Sequence, residues 1–92
     1  MNNVKVENFK SVRSGRKVAN QFRIFTDKGC YFQSYNTVIA FKPFSGKIQL
    51  DANSWDYSVT TGKYRNEFLR EKKKETEAKI KSGEYELVDL NA

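Results

Sequence analysis

Apolar and polar residues alternate over short stretches between Gln21 and Leu50, and this stretch organises the chain. Gln21 to Thr26 places Phe22 and Ile24 on one side and Arg23 on the other, with Phe25 interrupting the polar side. Asp27-Lys28-Gly29 is a polar stretch ending in glycine, which predicts a turn. Cys30 to Tyr35 returns with aromatic residues suited to a pleated surface. Val38 to Phe41 is an apolar run too short for an independent helix, and Pro43 stops it. Phe44-Ser45-Gly46-Lys47 reads as a second hairpin turn, and Lys47 to Asp51 alternates through Ile48 and Leu50.

The period then changes. Ser58-Val59-Thr60-Thr61 offers hydroxyl caps, and Tyr64, Phe68 and Leu69 form an apolar helical face. Arg70 to Lys79 is almost wholly charged, and only Ala78 and Ile80 resume the stripe. Pairs such as Lys63–Glu67, Lys73–Glu77, Glu75–Lys79 and Glu77–Lys81 stand four residues apart and support a continuing helix. Ser82-Gly83 ends it with a residue suited to a left-handed cap. Glu84 to Leu90 reads as a last strand. Before the sheet, Val4, Val6 and Phe9 fit a short edge strand, while Ser11 to Lys17 reads as a mobile loop. The prediction is an α+β fold in one domain: an antiparallel sheet of about four to five strands with one main helix packed on a face. The parts are a basic N-terminal arm at 1–17, a β-meander at 18–51, a helix at 61–82 and a terminal strand at 84–90.

Composition narrows the function. The 92 residues include 17 Lys or Arg and 11 Asp or Glu, a formal net charge of +6, which favours an anionic partner. The charge is segregated: residues 1–17 carry +4, 18–62 carry +1, 63–81 carry +4 and 82–92 carry −3. There is no histidine, which removes histidine acid–base catalysis and the common zinc sites. The single cysteine, Cys30, excludes an internal disulfide and reads as a small buried hydrophobe. No glycine-rich phosphate cradle is present, and nothing calls for a cofactor. Asp51 and Asp56 are the one close carboxylate pair outside the helix and tail, and a Mg²⁺ site built on them is the enzymatic alternative. Without a signal peptide or a membrane-length apolar run, the expected location is the cytoplasm, with no membrane partner.

Binding is the better-supported class. Basic and aromatic residues interleave on the expected sheet, as in proteins that stack unpaired bases above a cationic groove. Phe22, Phe32 and Phe41 are expected in the core, and Tyr31 and Tyr35 at a wet surface. Trp55 is expected to close one end of the core or to anchor a partner. The candidate contact residues are Arg13, Arg16, Lys17, Arg23, Tyr31, Tyr35, Lys42, Trp55, Arg70, Lys72, Lys73 and Lys74. A solvated face is the plain alternative for the charge run.

The segments Asn20-Gln21-Phe22-Arg23-Ile24-Phe25-Thr26, Gly29-Cys30-Tyr31-Phe32-Gln33-Ser34-Tyr35 and Trp55-Asp56-Tyr57-Ser58-Val59-Thr60-Thr61 carry a resemblance. In their spacing of apolar and aromatic residues the chain resembles small uncharacterised accessory proteins of phages and plasmids, over about residues 20–70. That resemblance implies an anti-defence role of the anti-CRISPR kind. The expected function is therefore a non-enzymatic binder that inhibits a host nucleoprotein complex, protein and RNA, by steric and electrostatic occlusion. The alternative is a free-standing single-stranded nucleic-acid-binding protein.

Overall fold

The computed structural model describes residues 4–92. Five strands come first: β1 Lys5–Lys10, β2 Lys17–Phe25, β3 Gly29–Ser34, β4 Thr37–Pro43 and β5 Gln49–Asp51. Two helices follow, α1 Val59–Leu69 and α2 Lys73–Ser82, and then β6 Glu86–Val88. The sheet runs in sequence order from β1 to β6. The first four pairings are antiparallel hairpins, while β6 lies parallel to β5. A parallel neighbour needs a long crossover, and the two helices supply it.

The α+β class is as expected, and β1 forms at the sheet edge where Val4, Val6 and Phe9 predict a short strand, with Phe9 fully buried against Phe32 and Tyr64, ring centroids 5.3 and 5.4 Å away. Three features differ. The sheet is mixed and has six strands. The expected terminal strand shortens to Glu86–Val88. The single helix is two. Arg70 adopts left-handed backbone (φ 57°) and closes α1 by donating its N–H to the Asn66 carbonyl. Lys72 opens α2 in extended conformation, with Glu75 accepting from its N–H at 3.0 Å.

Register sorts the side chains. Arg23, Phe32, Ala40 and Leu50 are successive ladder partners on the face that carries the helices. Phe32, Ala40 and Leu50 join Phe9, Ile39, Tyr64, Phe68, Leu69 and Tyr85 in the core. Val6, Ile24, Tyr31, Phe41 and Gln49 are the next row of partners, and by the pleat they belong to the opposite face. Val6 is 57% exposed and Ile24, Tyr31 and Phe41 are half-buried. Phe22 and Phe41 therefore do not reach the core expected for them; Phe32 does.

Gly29 shows how closely β3 and β4 approach. A Cβ there would lie 2.2 Å from the Lys42 carbonyl oxygen, and its φ of 151° is rarely adopted by side-chain-bearing residues. Its role is close strand approach as much as turning.

Candidate functional site

The predicted contact residues fall into separate groups. Arg13, Arg16 and Lys17 are exposed on the β1–β2 hairpin, which is closed by the Ser11 N–H on the Arg16 carbonyl and the Gly15 N–H on the Ser11 carbonyl, both 2.8 Å. Lys10 stands directly opposite Lys17. Like charges in that position destabilise a bare hairpin. Among the described residues none of Lys10, Arg13, Arg16 and Lys17 makes a salt bridge. The hairpin is thus a finger of four cations without a neutralising partner.

Arg23, Lys42 and Arg70 form the second group. Arg23 lies half-buried, its guanidinium carbon 3.9 Å from the centre of the Phe9 ring. Lys42 donates from Nζ to the Phe68 carbonyl at 2.6 Å and lies 4.4 Å from the centre of the Phe68 ring, so it caps the end of α1. Burial lowers its pKa, with Arg70 and Arg23 acting in the same direction. Cys30 is half-buried beside Lys42, and burial raises its thiol pKa.

The helix lysines do not act as a block. Lys72 and Lys74 are exposed with Arg70 at the corner between the helices. Lys73 instead binds Asp56, Nζ to Oδ2 at 2.7 Å. Tyr31 lies on the open face of the sheet with its ring stacked on Phe41, centroids 4.2 Å apart. Tyr35 is exposed at the β3–β4 turn. Trp55 is half-buried against the core, with the Arg65 guanidinium carbon 5.3 Å from its ring centre.

Two charged networks escape the sequence reading. Arg65 is 1% exposed; its Nη1 donates to the Trp55 carbonyl (2.8 Å) and Asp56 Oδ1 (3.4 Å), and its Nη2 to Asn66 Oδ1 (3.0 Å). Its signal is its place on the helical stripe of Thr61, Tyr64 and Phe68, where a charge needs buried partners. Glu71 sits in the break between the helices. It accepts from Thr76 Oγ1 (2.6 Å), Lys79 Nζ (2.6 Å) and Tyr85 OH (3.0 Å). Burial alone would raise its pKa, but these hydrogen bonds outweigh burial and hold it below the usual carboxylate range. The same ion pair pushes the Lys79 pKa upward. None of the four-residue helix pairs expected from the sequence forms a salt bridge among the described residues.

The carboxylates of the enzymatic alternative have separate structural partners. Asp51 is buried and its Oδ1 accepts the Leu90 N–H at 3.0 Å, tying the tail to β5. Asp56 bridges Arg65 and Lys73. No group of three or more His, Cys, Asp or Glu that could share a metal ion exists among the described residues. No helix there is long and apolar enough to cross a membrane.

No curated protein and no solved structure matches the chain. A family model does, that of the family of unknown function DUF8033, over residues 4–85. With nearly the whole chain matched, the protein belongs to the DUF8033 family.

Proposed function

We propose that this chain is a non-enzymatic binding protein of the phage type, an anti-CRISPR-like inhibitor that occludes a host defence nucleoprotein complex. The observation that carries the reading is the set of cations without internal partners, Lys10, Arg13, Arg16 and Lys17 on one hairpin. Such charges favour phosphate, and the affinity they confer falls with salt. The row Val6, Ile24, Tyr31 and Phe41 on the uncovered sheet face supports an apolar contact with protein in the same complex. The resemblance to phage and plasmid proteins supplies the class of partner. Affinity capture from a bacterial host lysate, with and without nuclease, tests this. The expected result is recovery of a ribonucleoprotein whose yield drops after nuclease; recovery of no nucleoprotein contradicts it.

A second reading, free-standing binding of single-stranded nucleic acid, is favoured by the stacked Tyr31–Phe41 pair on an open sheet. A gel shift with bare oligonucleotides separates the two. Micromolar or tighter binding to naked RNA or DNA supports this second reading, and its absence leaves the first.

A further inference from the structure

Tyr35 combines two unfavourable features. Its backbone is left-handed (φ 54°), and its side chain is 59% exposed. A bulky side chain is disfavoured in left-handed backbone, and glycine or asparagine would fill the turn with less strain. The conformation is held by the Tyr35 N–H on the Asn20 carbonyl (2.7 Å) and by Gln33 Nε2 on the Tyr35 carbonyl (2.8 Å). The ring takes no part in the core.

The ring borders a cleft of about 390 Å³ whose other walls are Ser34, Asn36, Thr37, Ile39, Tyr57 and Thr61. Tyr57 is 76% exposed, a second aromatic ring without a core to fill. The floor is polar and buried. Ser58 Oγ donates to Thr61 Oγ1 (3.1 Å), and Thr61 Oγ1 and Ser34 Oγ share a hydrogen bond of 3.2 Å. Gln21, the ladder partner of Ser34, is buried and its Oε1 has no hydrogen-bond partner. Gln21 does not line the cleft, whose walls offer the polar side chains of Asn36 and Thr37 between two exposed tyrosines.

The cleft also lies at the cationic end of the sheet. Gln21 pairs with Ser34, so residues 17–20 of β2 run past the β3–β4 turn and carry the hairpin cations beyond Tyr35. We propose that the cleft bordered by Tyr35 and Tyr57 takes one unpaired base of a single-stranded nucleic acid. In that arrangement the base stacks on tyrosine, its polar edge meets the Asn36 and Thr37 side chains on the cleft wall, and the neighbouring phosphates run toward Arg13, Arg16 and Lys17. This rests on the second reading, binding of single-stranded nucleic acid, and it assigns the base contact to the Tyr35–Tyr57 end of the helix-covered side, apart from the Tyr31–Phe41 face.

Fluorescence anisotropy tests it with two labelled single strands of about twelve nucleotides, within the usual site size, one carrying bases and one abasic. The base-bearing strand should bind about tenfold tighter, the worth of a single stacked base. Tyr35→Gly and Tyr57→Ala should each remove most of that difference, while the thermal midpoint holds, or rises for Tyr35→Gly because the left-handed strain is relieved. Equal affinity for the two strands overturns the proposal. So does a base preference that survives both substitutions. Failure of either strand to bind also overturns it, and the capture experiment then decides separately whether a nucleoprotein is the partner.

Discussion

Glu71, in the break after α1, ties α2 to the residue just before β6 through one carboxylate. Thr76, Lys79 and Tyr85 all donate to it, and its pKa is lowered in consequence. A carboxylate whose folded pKa lies below its unfolded value contributes stability above the unfolded value and loses it as pH falls through the folded one. Glu71→Gln should therefore cost about 1.5–3 kcal/mol near neutrality. The gap to wild type should close as pH drops below about 4. Urea unfolding across pH checks this; a gap that persists in acid would show that charge is not what the site uses. Gly29 makes a different demand, for space. Gly29→Ala should cost about 3 kcal/mol or more, since the new Cβ meets backbone rather than a flexible side chain. Gly15→Ala meets nothing within 4 Å and should cost only about 1 kcal/mol for its positive φ. Comparable destabilisation in the two urea titrations would contradict the close approach of β3 and β4.

At the scale of elements, local chemistry is legible in the sequence and tertiary partnership is not. The strands between Gln21 and Leu50 follow from alternation and turn residues, because both act within a few positions. β1 is legible as an edge strand from Val4, Val6 and Phe9, although Lys5, Glu7 and Asn8 dilute the alternation; the burial of Phe9 in the core is what only the fold reveals. The break between α1 and α2 has no local signal. Every residue from Arg70 to Lys79 tolerates a helix, and the break depends on Glu71 meeting Tyr85, fourteen residues on. Among the candidate site residues, the cationic character of Arg13, Arg16 and Lys17 is plain in the sequence. The pairing of Lys73 with Asp56 is not, because it needs the α2 terminus brought back to the loop before α1. Arg70 forms the left-handed cap of α1, where glycine carries no steric penalty. Arg70→Gly should raise stability by about 1 kcal/mol, or about 5 °C in Tm, even as it removes a surface cation. A lowered Tm in a thermal melt would place the value of this residue in its side chain instead.

The whole molecule has two unlike sides. The helices, both charged networks and the core occupy one side of the sheet, and the other presents Val6, Ile24, Tyr31 and Phe41 uncovered by a helix. Phe44, 78% exposed at the β4–β5 turn, extends the apolar surface near that side. Three of the eleven acidic groups are committed inside the fold, Asp51 to the tail, Asp56 to Arg65 and Lys73, and Glu71 to Lys79. The hairpin cations Lys10, Arg13, Arg16 and Lys17, which make no salt bridge among the described residues, keep their charge for an outside partner. An occluding protein built this way should gain its affinity from cations on phosphate and its specificity from apolar and aromatic surfaces. The most direct measurement is the salt dependence of its affinity for the captured nucleoprotein, for wild type and for a form with Arg13, Arg16 and Lys17 changed to Glu. Wild-type affinity should fall steeply with salt, and the changed form should bind more weakly, with a slope flatter by about 0.7–0.9 for each phosphate it no longer neutralises. Affinity that is insensitive to salt, or the same in both forms, would contradict it.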